Sequence, residues 1–305
     1  MMRKDKKRFK VAMIGHKRVP SREGGIEVVV EELSVRMVER GLKVDVYNRK
    51  DRFGKAYKQP REYKGIRIIQ IPTFKVSALN AFVYSVLASF RALFGGYDCI
   101  HYHAEGPCAM MWLPKLFGIH TVATIHGLDW QRAKWGGFST KYLKLGEKCA
   151  SKYADELIVL SNNNQKYFKE TYGRDTHLIP NGIVKKNADY PARDISEIFG
   201  LQKDGYILFL ARIVPEKGLH YLIEAFKAVE TNKKLVIAGD LTPGNEYVEK
   251  IKKMASEDER IILTGFVQGR LLDELFSNCY IYVLPSDIEG LAMSLLESVS
   301  YGVPC

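Results

Sequence analysis

Between Phe9 and Ser300, short apolar runs rich in β-branched residues alternate with longer stretches whose apolar residues recur every three or four positions. No other feature of the chain constrains its fold as tightly. Parallel strands need a crossover of a dozen or more residues, usually a helix, and strands covered by helices on both faces read as nearly continuous apolar runs. The first strand is predicted at Phe9–Gly15, followed by a loop from His16 to Gly25 and a helix over Ile26–Arg40 that Gly41 stops. Further strands are predicted at 44–47, 66–71, 98–103, 121–125, 156–160 and 177–179, with a polar, basic loop up to Lys64. Helices are predicted between them at 77–94, 107–117, 139–153 and 163–172. After a polar, strand-poor stretch the pattern restarts, with strands at 206–210, 234–238, 260–263 and 280–284 and helices at 218–229, 245–254, 271–278 and 291–300.

The expected architecture is therefore α/β, with two doubly wound parallel sheets in tandem. Domain 1–182 is followed by a linker at 183–204, which holds Pro191, and by domain 205–305. Such a pair is expected to bind its ligand in the cleft between the domains, outside the carboxyl ends of the strands. The last residues, Tyr301-Gly-Val-Pro-Cys305, stand where a further strand would begin, so the second domain is expected to be incomplete.

Charge divides along the same line. Residues 1–190 hold 34 Lys and Arg against 18 Asp and Glu (+16), and residues 191–305 hold 12 against 17 (−5). A basic half suits nucleic acid, an anionic membrane or an anionic substrate. No aromatic-interleaved basic platform or nucleic-acid motif is present, so nucleic acid is not an expected partner. The five cysteines are scattered and form no Cys-x-x-Cys pair, which points to a reducing compartment and away from a disulfide frame or zinc site. The basic N-terminus lacks the apolar core of a signal peptide. No run of about 18 uncharged apolar residues occurs, and the nearest, 76–95, contains Asn80 and Arg91. A cytoplasmic protein is expected.

Four strand-end loops carry candidate chemistry. Arg22-Glu-Gly-Gly25 opens a helix, and its paired glycines allow close approach of a ligand to backbone amides, although the dinucleotide fingerprint is absent. His103-Ala-Glu105 and Ile125-His-Gly-Leu-Asp-Trp130 place imidazoles beside carboxylates, a set suited to acid–base work or to sugar hydroxyls. Trp130 and Trp135 offer apolar faces of the kind that lie against sugar rings. Three convergent ligands are lacking there, so no metal is expected. Ala211-Arg-Ile-Val-Pro-Glu-Lys-Gly218 sets two cations five apart before a helix, and Arg212 and Lys217 can hold phosphate oxygens. In the last loop, Glu289 and Glu297 stand eight apart, with Glu297 expected two turns into a helix that Gly290 opens.

Taken together, Gly24-Gly25, Arg212-x-x-x-x-Lys217-Gly and Glu289-Gly-x-x-x-x-x-x-Glu297 resemble the retaining glycosyltransferases of family four, whose GT-B architecture is two facing Rossmann-like domains. Ile179-Pro-Asn-Gly-Ile183 resembles that family's inter-domain segment, with Val184 in place of the usual acidic residue. The Gly-Gly-x-Glu loop and His126-Gly-Leu-Asp-Trp130 are similar to bacterial enzymes of surface-polysaccharide synthesis, rhamnosyltransferases among them.

The resemblance implies that Arg212 and Lys217 hold the donor diphosphate and that Gly24 and Gly25 approach it from the first domain. Glu289 would face the transferred sugar, Gly290 and Leu291 amides would lie near its hydroxyls or phosphate, and Glu297 would hold the ribose. His126 would lie by the sugar, with His103, Glu105, Asp129 and Trp130 as acceptor-side candidates. No cofactor or divalent metal would be needed, because the two cations neutralise the leaving diphosphate. The implied partners are a nucleotide sugar and a glycan or lipid-linked acceptor, while the +16 first domain and the helical stretch 76–95 fit docking on the anionic inner face of the plasma membrane. Alternatives within the same architecture are phosphorolysis, epimerisation or silent binding of a nucleotide sugar.

Overall fold

In a computed structural model of the chain, the described residues are 8–50, 60–73, 77–131, 137–186 and 189–305. They form two compact units, Met1–Asn181 and Gly182–Cys305. Trp135, Val76 and the basic stretch 51–59 lie outside the described residues.

Strands of the first unit are β1 (Lys10–Ile14), β2 (Lys43–Lys50), β3 (Glu62–Tyr63), β4 (Ile66–Pro72), β5 (Cys99–His103), β6 (His120–Ile125), β7 (Glu156–Val159) and β8 (His177–Leu178). They make one sheet in the order β3-β4-β2-β1-β5-β6-β7-β8, parallel except for β3. Its helices are α1 (Gly25–Glu39), α2 (Ser77–Leu93), α3 (Glu105–Cys108), α4 (Trp112–Leu116), α5 (Gly137–Tyr153) and α6 (Asn162–Tyr172). Successive residues of β1 enter different cores: Ala12 and Ile14 pack with Tyr84 and Ala88 of α2, whereas Val11 and Met13 pack with Val30 of α1. The two-residue period of a strand thus buries both faces of the sheet.

The second unit holds β9 (Tyr206–Leu210), β10 (Lys234–Ala238), β11 (Ile261–Gly265) and β12 (Ile281–Tyr282), paired in parallel as β11-β10-β9-β12. Helices α7 (Asp194–Phe199), α8 (Leu219–Lys227), α9 (Glu246–Ser256), α10 (Arg270–Asn278) and α11 (Met293–Ser300) accompany them. Leu208 and Val236 enter one core with Phe276, and Phe209 and Leu235 enter the other with Ile223. Local signals explain several boundaries. Ser161 Oγ accepts the Asn164 amide at the start of α6, and Gly173 ends that helix in the left-handed region. Asn245 caps α9, accepting the amides of Tyr247 and Val248 at 3.0 and 3.3 Å.

Four local expectations change. The loop before Lys64 contains β3, which turns back antiparallel onto β4 through Lys64 and Gly65, both at positive φ. The helix expected at 107–117 is two short helices, α3 and α4. Pro114 has no amide to offer the Met110 carbonyl, which instead accepts from Leu113 at 3.1 Å. The segment expected as a linker carries α7, with Ile195 and Leu201 buried in the second unit's core. Glu274 of α10 holds it by accepting the Arg193 and Ile195 amides at 2.9 and 3.2 Å. Finally, α11 begins at Met293, so Glu297 sits one turn into the helix and Gly290 and Leu291 belong to the loop before it.

Candidate functional site

In each sheet, the direction in which successive strands are added reverses at the first strand: the chain runs outward from β1 through β2 and from β9 through β10, then resumes on the other side at β5 and at β12. β1 lies between β2 and β5, and β9 lies between β10 and β12. At such a reversal the loops leaving the carboxyl ends diverge and open a crevice, the usual ligand position in open α/β sheets. Several of the predicted residues lie on the loops that leave these strands and their neighbours.

In the second unit, the loop leaving β9 carries exposed Arg212, a turn at Pro215–Lys217, and Gly218 at the head of α8. The loop leaving β12 carries Ser286, Asp287 and Glu289. The two are fastened together. Asp287 N–H donates to the Glu216 carbonyl at 3.1 Å, Ser286 Oγ donates to Glu289 at 3.2 Å, and Lys217 Nζ pairs with Glu289 Oε1. A Cβ on Gly218 would stand 1.9 Å from the Pro285 carbonyl oxygen, so only glycine permits this approach. Tyr282 anchors the third part, donating to the Leu210 carbonyl at 3.1 Å and lying 2.7 Å from Ser294 of α11. The first amides of α11, from Met293 on, have no acceptor within the helix. Cation, carboxylate and amide donors therefore converge at one strand reversal. The Lys217–Glu289 pair is partly exposed and worth at most about 1 kcal/mol, so an anionic ligand can displace it at little cost.

In the first unit, Gly24 and Gly25 open α1, and Gly15 and His16 follow β1. A Cβ on Gly15 would meet the His103 carbonyl oxygen at 1.9 Å. Tyr84 of α2 holds the turn: its hydroxyl accepts the Gly15 amide at 3.0 Å and donates to the Tyr47 carbonyl at 2.6 Å. His103 stacks on His101 with ring centroids 4.2 Å apart, and its Nδ1 lies 3.1 Å from His126 Nε2. His101 Nε2 lies 2.7 Å from Thr124 Oγ1, and His16 Nε2 lies 3.0 Å from Asn48 Oδ1. Burial holds His16 at about 4 and His101 at about 3, and keeps His103 well below its ordinary value, so these three rings are neutral at pH 7. Ala104, the next residue, has φ 70° and ψ 161°, a region that only glycine enters freely.

The acceptor-side candidates divide. Asp129 and His126 are half-buried at the end of β6, whereas His103 and Glu105 are fully buried and present nothing to the outside. Burial, then Asp129 and Glu147, push the Glu105 carboxyl up to about 10, so it is protonated at pH 7. Trp130 is also committed inward. Its Nε1 donates to Glu147 at 2.9 Å, and Lys144 lies over its ring at 4.3 Å. Glu147 further accepts the Tyr167 and Tyr172 hydroxyls at 2.7 and 2.6 Å. Among the described residues no His, Cys, Asp and Glu side chains converge as a metal site.

Reading by sequence missed His16, His101 and Glu147. His101 had a signal, since two residues before His103 on a strand places it on the same face. Glu147 had none: it faces Trp130 and Tyr167 from a helix that only the packing brings beside them.

Residues 23–186 match the family described as Glycosyltransferase Family 4, and residues 192–305 match that described as Glycosyl transferases group 1. The O-antigen chain mannosyltransferase C of Escherichia coli is 25% identical over 296 residues, covering 93% of this chain and 75% of its own. The same organism's UDP-Gal:alpha-D-GlcNAc-diphosphoundecaprenol alpha-1,3-galactosyltransferase is 28% identical over 223 residues, covering 68% of this chain but only 57% of its own. Among solved structures, Anabaena HepE in complex with UDP and glucose matches in fold, with a TM-score of 0.75 at 18% identity over 97% of this chain and 79% of its own. The two Rossmann-like sheets are those of the GT-B fold, and with the first match alone spanning more than half of its residues, the chain belongs to Glycosyltransferase Family 4.

Proposed function

We propose that the protein is a retaining glycosyltransferase that moves a hexosyl or rhamnosyl group from a nucleotide sugar to a surface glycan, lipid-linked during its assembly, without a divalent metal. The observation that carries this reading is the pairing of Lys217 with Glu289 across the loops leaving β9 and β12, with Arg212 on the first of those loops and α11 following the second. Arg212 and Lys217 hold the diphosphate, and Lys217 exchanges its contact with Glu289 for the phosphate. Glu289, with the amides of Gly290 and Leu291, meets the sugar, and Glu297 takes the ribose. Gly24 and Gly25 approach the phosphates, and His126 and Asp129 lie toward sugar and acceptor. The HepE complex with UDP and the diphosphoundecaprenol-linked substrate named for the galactosyltransferase support a nucleotide donor and a lipid-linked acceptor.

Calorimetry with UDP, GDP and dTDP tests the donor side. Arg212→Ala and Lys217→Ala should each weaken the best-bound nucleotide by about 1.5–3 kcal/mol, the range of a charge-assisted hydrogen bond. Affinity unchanged in both variants would remove the phosphate assignment.

A second surface supports a site of action at the membrane. Phe82, Leu87, Phe90 and Phe94 are exposed along one face of α2 and just beyond it, with Arg91 among them, and Phe94 is 88% exposed. Next to that helix packs α4, ending at exposed Leu116 and Phe117. No helix among the described residues is long and apolar enough to cross a membrane. This face is proposed to rest on the inner leaflet, its phenylalanines in the headgroup layer and Arg91 and Lys115 beside anionic lipid. The chain should sediment with phosphatidylglycerol vesicles at low salt and less at high salt. Equal binding to neutral vesicles, or unchanged binding by Phe90→Ser/Phe94→Ser, would rule the surface out.

A further inference from the structure

We propose that His103 is a positioning residue: by donating its Nδ1–H to Nε2 of His126, it fixes the plane of that ring and the tautomer in which the proton sits on Nδ1. The inference rests on the reading of His126 as the group beside the transferred sugar. His103 itself is fully buried and acts only through its neighbour.

The direction of the hydrogen bond follows from an unpartnered atom. His103 Nδ1 and His126 Nε2 are 3.1 Å apart, so one donates and the other accepts. Burial, with His101, His126 and His16 nearby, keeps the His103 ring neutral, leaving it one N–H. Its Nε2 is buried and has no hydrogen-bond partner among the described residues. Were the proton on that Nε2, a donor would be orphaned in the interior; with the proton on Nδ1, the orphan is a lone pair. Buried donors without acceptors are rarer and more costly than under-used acceptors. The proton therefore lies on Nδ1 and points at His126. A neutral His126 that accepts at Nε2 must carry its own proton on Nδ1, and so meets its surroundings as a donor there.

The neighbourhood is built to hold this arrangement. His101 stacks against His103 and is itself held beside Thr124 of β6. On the other side, Gly15 packs so closely against the His103 backbone that no side chain fits. Ala104 follows in a glycine-only conformation, and strain of this kind persists only where the surroundings enforce it. Retained strain beside a hydrogen-bonded histidine pair is what a site that needs one fixed ring orientation would show.

The test uses the full chain labelled with 15N-histidine, with His126 resonances assigned from their loss in His126→Gln. The His126 ring should show the Nδ1–H tautomer in the parent protein and a mixture in His103→Leu. His103→Asn, whose amide can occupy the Nδ1 position, should restore the single tautomer. Turnover is read as UDP released from UDP-glucose or GDP from GDP-mannose. His103→Leu should lower kcat about 10- to 100-fold, with KM within about threefold, and His103→Asn should recover most of it. Combining His103→Leu with His126→Ala should cost no more than His126→Ala alone, because the first residue works through the second. An Nε2–H tautomer in the parent protein, or losses that multiply, would overturn the proposal. If His103→Leu does not fold, the parent spectrum and His103→Asn decide. Unchanged turnover in His126→Ala would instead remove the sugar-side role of His126 and leave the tautomer assignment standing.

Discussion

Alanine at position 218 is expected to destabilise the second unit by about 2–5 kcal/mol and to abolish nucleotide binding with it. Two effects add. Gly218 has φ 65°, a left-handed conformation that costs an L-residue about 1–2 kcal/mol. Its new Cβ would also stand 1.9 Å from the Pro285 carbonyl oxygen. That atom is backbone and cannot swing away, so the loops leaving β9 and β12 must separate, a shift of the kind that costs about 1–3 kcal/mol in packed cores. Separation pulls Lys217 from Glu289 and the Glu216 carbonyl from the Asp287 amide, and so dismantles the proposed donor site. Gly244 is the control. It has φ 84°, with nothing within 4 Å of an added Cβ, so Gly244→Ala bears the conformational cost alone. Scanning calorimetry of both variants decides the matter. Equal losses of Tm would mean that the contact with Pro285 is unimportant.

The second large effect is on pH dependence. His16, His101 and His103 have folded-state pKa values depressed by burial, two of them to about 4 and about 3. Below their ordinary value near 6.5 the unfolded chain takes up protons that the folded chain refuses, so stability is full above that pH and is lost as pH falls. Each fully active group contributes a slope of at most about 1.4 kcal/mol per pH unit, and three give about 4. Glu105 acts in the opposite sense. Its carboxyl is raised to about 10, so its contribution is complete below its unfolded value near 4.5 and is lost as pH rises toward 10. Between pH 6 and pH 5 the three histidines outweigh this one carboxyl. Urea unfolding should therefore show the first unit weakening steeply from pH 6.5 to 5 and more gently from pH 7 to 9. Glu105→Gln should flatten the alkaline limb alone. A stability that is level from pH 7 to pH 5 would mean that these rings are hydrated and not buried as described.

Ordinary signals in the chain marked the tandem α/β order, because alternating apolar runs and amphipathic helices admit few other arrangements. Gly41 marked the end of α1 through a left-handed backbone conformation that glycine adopts freely. The candidate site was legible where its residues are close in sequence: Arg212 with Lys217, Glu289 with Glu297, and His126 with Asp129 each lie on one loop or its adjoining helix. Two-residue β3 and six-residue α7 went unread, since such short elements have too little periodicity and are held by partners elsewhere, β4 and Glu274.

What tertiary structure alone decided is which of these side chains face a ligand and which face each other. His103 and Glu105 have the composition of a surface site, yet both lie fully buried, one bonded to His126 and the other protonated beside Glu147. Lys217 and Glu289, 72 residues apart in the chain, form an ion pair because β9 and β12 are neighbours in the sheet. Desolvation and pairing of this kind depend on the sum of contacts from distant segments, and that sum exists only once the sheet order brings the segments together.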